Sequence, residues 1–194
     1  MPAGRPSATS ARELELVALK LFSENGFAQT SVEQIAAGAG VSKRTFFRYF
    51  DSKTAVLWHD FDNEVQALRA AFERIPAKTP LMTAIREVVI GVNRYRAEDV
   101  PELRTRMSLI SSDPDLQASA SLHYDAWEQA VVAFAAARLD QSPDALVPLA
   151  IGRTTLAACR AAYDVWVARA DADLTTYLDQ ALRALASGFR PSSK

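Results

Sequence analysis

The chain has 194 residues and a formal net charge of −1, with 49% apolar and 23% charged residues. This length supports a sizeable core in one large or two small domains, and the charge balance excludes a protein coated with positive charge, so any nucleic-acid surface must be local. The single cysteine, Cys159, excludes an intramolecular disulfide, and no apolar run approaches the roughly 18 residues of a membrane span. We therefore expect a cytoplasmic protein with no membrane partner.

Helical signals recur along the whole chain, and strand signals are nearly absent. Ser10 and Glu13 have the spacing of a capping box, in which each side chain satisfies a backbone N–H group at the start of a helix. Apolar residues then recur at helical intervals until Asn25 and Gly26, where glycine tolerates the left-handed backbone that ends many helices. The sequence therefore predicts a first helix over about residues 10–25.

Two short helices are predicted next, on either side of a tight turn. Thr30 and Glu33 have a second capping-box spacing, and the segment 38–41, GAGV, is a turn of small residues. Ser42 can cap the third helix. Short helices joined by a tight, glycine-containing turn are the sequence form of a helix-turn-helix.

The remainder of the chain predicts longer helices, which brings the total to about nine. Prolines and capping residues mark most of their starts, because proline fixes the backbone at a position where a missing N–H group has no cost. The sequence therefore predicts an all-α protein. The approximate ranges of the longer helices are 53–74, 80–95, 102–111, 113–139, 142–169 and 173–188.

Residues 42–53, SKRTFFRYFDSK, carry four basic side chains against one acidic side chain. At about 100° per residue on a helix, Phe46 and Phe50 fall close together and are predicted to point inward. The opposite arc carries Arg44, Thr45, Arg48 and Tyr49. Arginine can bind guanine with two hydrogen bonds, and threonine can contact a thymine methyl or a phosphate, so this arc is a candidate DNA surface. For the segment alone, a merely solvated basic face is the alternative.

From residue 12 to residue 57 the chain resembles a TetR-family repressor. The resemblance lies in the stretch ALKLFSENGFAQTSVEQIAAGAGVSKRTFFRYFDSKTAVL and covers about a quarter of the chain. The family pattern has a first helix ending in Phe-x-x-x-Gly-Phe, a threonine, Ile-Ala-x-x-Ala-Gly-Val-Ser, an aromatic-rich recognition helix and a lysine. The matching residues are Phe22, Gly26, Phe27, Thr30, Ile35, Ala36, Ala39, Gly40, Val41, Ser42, Phe46, Phe47, Tyr49, Phe50 and Lys53.

The resemblance implies a homodimer that inserts two recognition helices into successive major grooves of double-stranded operator DNA. It implies a helix-turn-helix DNA-binding domain over residues 1–53 and an effector-binding and dimerisation domain over residues 54–194. The DNA-binding residues that it implies are Thr30, Lys43, Arg44, Thr45, Phe47, Arg48, Tyr49 and Lys53. Ser31 and Ser42 join this set because they lie at the predicted N-terminal ends of the second and third helices, where free N–H groups attract a phosphate.

Three further segments are similar to a narrower subgroup, the regulators encoded with the peptide-derived cofactor mycofactocin. They are RTFFRYFDSKTAVLWHDFD, YDAWEQAVVAFAAARL and AAYDVWVARADADL. This similarity implies a long-chain acyl-CoA as the effector. The family also implies a four-helix dimer interface built by the last two helices, with an intramolecular core as the alternative. The small and branched positions concerned are Ala150, Thr154, Ala157, Leu178, Ala181, Leu182 and Leu185.

Apolar and aromatic side chains recur on the helices of the second predicted domain, and ligand sites in helical bundles lie between such helices. Rings with a polar edge suit a partly wet pocket. For each residue the alternative is a place in the core. The predicted effector-binding residues are Val89, Met107, Ile110, Tyr124, Trp127, Tyr163 and Trp166.

These observations predict a ligand-responsive repressor in which an effector relieves operator binding, although whether the ligand releases or promotes DNA binding stays open. We expect no enzyme activity, cofactor or metal site, because there are two histidines, no C-x-x-C motif, and a cysteine in an apolar stretch, LAACRAAY. The alternatives are a regulator of efflux or catabolic genes with a different small apolar ligand, and an all-helical lipid carrier.

Overall fold

The computed structural model describes residues 10–169 and 171–188. Within those residues the protein consists of nine α-helices, one short 3-10 turn and connecting loops, without a β-strand, which confirms the all-α prediction. The 3-10 turn covers Thr54–Trp58. The helices are α1 (Ala11–Asn25), α2 (Val32–Gly38), α3 (Lys43–Phe46), α4 (Phe61–Arg74), α5 (Leu81–Val92), α6 (Val100–Ser112), α7 (Pro114–Leu139), α8 (Leu146–Arg169) and α9 (Leu174–Ala186).

The predicted helix between residues 53 and 74 is divided in two. The 3-10 turn places Val56, Leu57 and Trp58 in the core, with exposures of 0%, 1% and 7%. Three consecutive side chains cannot all face one side of a straight α-helix, so the tighter turn accommodates their burial. The α-helix begins only at Phe61. Similarly, α8 begins at Leu146 rather than near residue 142, where the chain forms a turn.

Two hydrophobic cores hold the described helices together. The first contains Leu14, Phe22, Ile35, Phe46 and Leu57, each at most 1% exposed, and it joins α1, α2, α3 and the 3-10 turn to parts of α6 and α7. Full burial of such a side chain contributes about 1.5–3 kcal/mol. Because α6 and α7 supply residues to this core, the helix-turn-helix is packed directly onto the body.

The second core lies among α4, α5, α7, α8 and α9, around Leu68, Ile85 and Val131. Helices α7 and α8 approach closely at Gly152, where an added Cβ would lie 2.3 Å from Val132 Cγ2. Met107 of α6 packs against both cores. None of the described helices is long and apolar enough to cross a membrane.

Candidate DNA-binding surface and ligand cavity

The turn between α2 and α3 has the geometry that the glycine pattern predicts. Gly40 has φ +68°, in the left-handed region that favours glycine. The Val41 N–H group donates to the Ala36 carbonyl at 2.9 Å, and the Gly40 N–H group donates to the Ala37 carbonyl at 3.0 Å. These two bonds form a Schellman motif, which ends α2 and directs the chain into α3.

The capping box of α2 lies one residue later than predicted. Ser31 and Gln34 form it, with the Gln34 N–H group 3.2 Å from Ser31 Oγ, instead of Thr30 and Glu33. Both pairs fit the same spacing rule, and the burial of Thr30 decides between them. Ser42 caps α3 by accepting from the Thr45 N–H group at 3.1 Å. The two predicted serines therefore lie at helix starts, with their hydroxyls used in capping.

The predicted recognition segment is α-helical over Lys43–Phe46 and continues in hydrogen-bonded turns to Phe50. Phe46 and Phe50 are 0% and 4% exposed, and their ring centroids lie 5.5 Å apart, so both rings anchor the segment as the helical arc predicts.

The outer face of this segment presents cations around an exposed aromatic ring. A shallow depression is lined by Arg44, Thr45, Phe47 and Arg48, and the Phe47 ring is 45% exposed. The guanidinium of Arg48 lies 5.0 Å from the centroid of the Tyr49 ring and donates to the Tyr49 hydroxyl at 3.2 Å. We call the surface formed by Lys43, Arg44, Thr45, Phe47, Arg48 and Tyr49 the basic face.

Lys43 forms an exposed ion pair with Glu33 of α2. The hydrogen bond from the Lys43 ammonium lowers the pKa of the Glu33 carboxyl below its ordinary value. An acidic group therefore lies at the edge of the basic face and competes with any anion for Lys43.

Two predicted DNA-binding residues, Thr30 and Lys53, are not part of the basic face. Thr30 is 1% exposed, and its hydroxyl donates to the carbonyls of Gly26 and Leu21 at 2.9 and 3.2 Å. The Lys53 ammonium donates to the carbonyls of Phe27 and Thr30 at 2.6 and 2.9 Å, and it lies 4.1 Å from the Phe27 ring centroid. Desolvation by burial lowers the pKa of Lys53. Both side chains thus fasten the loop between α1 and α2, because its backbone carbonyls need donors.

A cavity of about 90 Å³ lies between the 3-10 turn and helices of the body. Leu57 and Trp58 of the 3-10 turn form part of its wall. A second space of about 250 Å³ adjoins it and adds polar side chains, including Gln117 and Asp164. We call the first space the inner cavity and the second the vestibule. The two spaces share Met107, Ile110, Tyr124, Arg160 and Tyr163.

Five of the seven predicted effector-binding residues line the inner cavity, namely Met107, Ile110, Tyr124, Trp127 and Tyr163. The other two do not. Val89 is 0% exposed and packs in the second core. Trp166 lies under Arg104, whose guanidinium is 4.5 Å from its ring centroid. Trp166 follows Tyr163 by less than one helical turn, so the two rings point to neighbouring but different spaces.

The inner cavity also holds Asn93 and Glu64, polar residues that the sequence patterns did not single out as ligand contacts. The Tyr163 hydroxyl donates to Asn93 Oδ1, and burial raises the pKa of Tyr163 well above its ordinary value. Burial also raises the pKa of Glu64, an effect that the nearby positive charge of Arg106 opposes. Glu64 lies on α4, where spacing alone gives it no distinction from a solvated glutamate.

An ion-pair cluster joins this cavity wall to α1. Glu15 is 0% exposed, and it pairs with Arg106 of α6 and, at 2.8 Å, with Arg12. Arg12 also pairs with Glu102. Arg106 pairs with the same carboxylate at 3.1 Å. The hydrogen bond to Glu102 raises the pKa of Arg12 above its ordinary value. A glutamate between Leu14 and Leu16 was the available signal for this cluster.

By its fold, the molecule is a helix-turn-helix protein with an internal cavity in its helical body. Residues 16–58 match the family described as bacterial regulatory proteins, tetR family, and residues 79–190 match the MftR C-terminal domain. The chain belongs to the TetR family of transcriptional regulators, which are DNA-binding proteins and not enzymes, and its C-terminal part is of the MftR type.

Individual relatives agree with this assignment. A Mycobacterium tuberculosis protein carrying the name mycofactocin biosynthesis transcriptional regulator MftR is 30% identical over 186 residues, covering 96% of this chain and 94% of the relative. Bacillus subtilis FadR in complex with stearoyl-CoA has a TM-score of 0.62 at 18% identity, over 93% of this chain and 100% of that one. The complex of triclosan with SmeT, from Stenotrophomonas maltophilia, has a TM-score of 0.66 at 21% identity, over 90% of both chains.

Proposed function

We propose that the protein is a dimeric repressor whose basic face binds operator DNA and whose inner cavity binds the acyl chain of a long-chain acyl-CoA, which releases the DNA. The observation that carries the proposal is the place of Leu57 and Trp58. Both residues line the inner cavity, and both belong to the core that holds the recognition segment. A ligand in this cavity therefore touches the support of the DNA-reading residues.

The proposed DNA contacts are the members of the predicted set that are exposed or partly exposed. Arg44 and Arg48 supply guanidinium donors for bases or phosphates, and the exposed Phe47 ring offers an apolar surface for a thymine methyl. Lys43, Thr45 and Tyr49 adjoin them, with Ser31 and Ser42 at the helix starts. Thr30 and Lys53 hold the loop that carries α2 and have no direct DNA contact in this proposal.

The proposed effector site combines an apolar interior with a polar entrance. Met107, Ile110 and Trp127 offer contacts to an acyl chain, and Arg160 in the vestibule offers a cation for the polar head. The inner cavity, at about 90 Å³, is smaller than the roughly 300–1,000 Å³ of typical ligand pockets. The acyl chain must therefore widen the space between helices, and that widening is the proposed source of the conformational change.

A smaller apolar effector is the second candidate. The small volume of the inner cavity favours it, and the fold similarity to the SmeT–triclosan complex is consistent with it. In either case the ligand must bind the released conformation more tightly than the DNA-bound one, because equal affinity shifts no equilibrium.

The proposed dimer interface uses the exposed face of α8 together with α9. Ala150, Thr154 and Ala157 are exposed on α8 and are small enough for close helix approach. Leu178 and Leu182 are 0% and 1% exposed, so they belong to the core within one chain and not to this surface. The division of the chain into domains at residues 53 and 54 is part of the same proposal.

Fluorescence anisotropy of labelled DNA from the region upstream of the protein's own coding sequence tests the proposal. We expect tight binding that weakens steeply with salt, as several phosphate contacts require, and release by oleoyl-CoA. Release by triclosan but not by oleoyl-CoA would favour the second candidate. An absence of specific binding to this DNA and to a genomic DNA pool would contradict the repressor function.

A further inference from the structure

The ion-pair cluster is the one place where charged side chains connect α6 to α1 among the described residues. Glu15 is 0% exposed, and its cationic partners are the two arginines that contact it. A buried carboxylate that loses a cationic partner is strongly destabilised. The positions of α1 and α6 are therefore set by Arg106 as well as by apolar packing.

Arg106 also lines the inner cavity, which makes it the residue shared by the cluster and the proposed ligand site. Its Nη2 atom serves Glu15 and Glu102, whereas its buried Nε atom has no hydrogen-bond partner among the described residues. A buried guanidinium donor without a partner is costly, so an acceptor atom placed in the cavity beside it would be favoured.

We propose that Arg106 senses the effector: a carbonyl or carboxylate oxygen of the ligand takes hydrogen bonds from its guanidinium, weakens its pairing with Glu15, and so loosens α1. This inference rests on the proposed function of the cavity. Helix α1 shares the first core with Phe46 and Phe50 of the recognition segment, so a shift of α1 moves the basic face. The ligand class that this predicts is an amphipathic molecule with a hydrogen-bond acceptor, in contrast to a plain hydrocarbon.

The test compares the operator dissociation constant with and without saturating oleoyl-CoA in the wild-type protein and three variants. Glu15→Gln removes the charge at the far end of the pair. Arg106→Lys replaces the planar fork by a single ammonium group, which cannot hold several acceptors in the same geometry. Asp179→Asn is the control, because Asp179 pairs with Arg86 at 2.7 Å between α9 and α5, away from the cavity and from α1.

We expect oleoyl-CoA to weaken operator binding by roughly tenfold or more in the wild-type protein and in Asp179→Asn, a typical size for allosteric coupling. In Glu15→Gln and Arg106→Lys the ratio of the operator dissociation constants with and without oleoyl-CoA should be about twofold or less. Oleoyl-CoA affinity, measured separately by intrinsic fluorescence, should not fall in Glu15→Gln, since this residue does not line the cavity and its charge no longer competes with the ligand for Arg106. An undiminished ratio in both variants would overturn the proposal.

A ligand-free measurement separates this proposal from the identity of the effector. Coupling is reciprocal, so operator binding must change the affinity of the cavity for the effector, and we expect its walls, where Trp58 and Trp127 lie, to change with it. We expect operator DNA to change acrylamide quenching of tryptophan fluorescence in the wild-type protein and to change it much less in Glu15→Gln. If oleoyl-CoA has no effect on the wild-type protein, the proposed effector is wrong. The quenching measurement still tests the role of Arg106 in that case, because it needs no ligand. Equal changes in both proteins, or none in the wild type, would refute the role of Arg106.

Discussion

The recognition segment and the inner cavity use charged residues in opposite ways. On the basic face, Arg44 and Arg48 are exposed and lie within a few residues of each other in sequence. Around the cavity, Arg106 and Glu15 are buried or nearly so and come from segments 91 residues apart. Charges on the basic face are available to an external partner, whereas charges at the cavity hold two parts of the molecule together. Substitutions in the two regions should therefore affect different measurements.

The largest expected effect on stability is at the buried pair. Arg106→Ala leaves Glu15 with Arg12 as its remaining cation, and removing one partner of a buried pair costs about 3–5 kcal/mol. We expect a loss near the lower end, measured as the free energy of unfolding in urea. Arg160→Ala, at the exposed arginine of the same cavity wall, is the control and should change it by less than about 0.5 kcal/mol. Equal losses of unfolding free energy in Arg106→Ala and Arg160→Ala would contradict the difference expected between buried and exposed charges.

Arg44→Ala should weaken operator binding without changing the stability of the protein. We expect operator binding to weaken by about 1–3 kcal/mol, because a guanidinium contact to a base or phosphate is lost. The free energy of unfolding should be nearly unchanged, since the side chain is exposed. Anisotropy and urea titrations on the same preparation check both statements. A variant that unfolds more easily but binds DNA normally would contradict the assignment of Arg44 to the basic face.

Gly40→Ala tests the turn that orients the basic face. The backbone at Gly40 has φ +68°, and a Cβ there meets no neighbouring atom within 4 Å, so the cost is conformational and not steric. We expect a loss of about 1–2 kcal/mol in the free energy of unfolding. Gly91→Ala is the matched control, because Gly91 lies inside α5 with no atom within 4 Å of an added Cβ, and alanine favours the helix there.

Glu64→Gln is expected to stabilise the protein at neutral pH, by an amount on the order of 1 kcal/mol. Burial raises the pKa of Glu64 above the ordinary 4.5, so the folded protein binds this proton more tightly than the unfolded chain does. The contribution of Glu64 to stability is therefore fully present below pH 4.5 and is lost as the pH rises through the folded-state pKa. The glutamine variant should lack this decline, as urea titrations between pH 4 and 8 can measure. A destabilised variant at pH 7 would contradict the assigned direction.

The sequence predicted the local features of the basic face well. Helical periodicity placed Phe46 and Phe50 inward and Arg44 and Arg48 outward, because that arrangement depends on neighbours a few residues apart. Lys53 follows the family pattern in sequence, and in the fold it donates to the Phe27 and Thr30 carbonyls. Two carbonyls some 25 residues away cannot be seen in a local pattern.

The cavity was predictable in part. Aromatic residues with a polar edge pointed to Tyr124, Trp127 and Tyr163, all of which line it. Spacing could not separate Tyr163 from Trp166, since the position of Arg104 beside one ring depends on a different helix. The position of Glu15 between Leu14 and Leu16 could have indicated a buried charge, but its partner Arg106 is supplied by tertiary packing, about which local propensity carries no information.

In the proposed mechanism, a ligand in the cavity changes the support of the basic face through α6 and α1. Hydrogen–deuterium exchange of the protein with and without oleoyl-CoA can detect this change. We predict slower exchange in peptides of α6, α7 and α8 that line the cavity, and faster exchange in the peptide covering Ala11–Asn25. Release of operator DNA by oleoyl-CoA with unchanged exchange in α1 would contradict this mechanism.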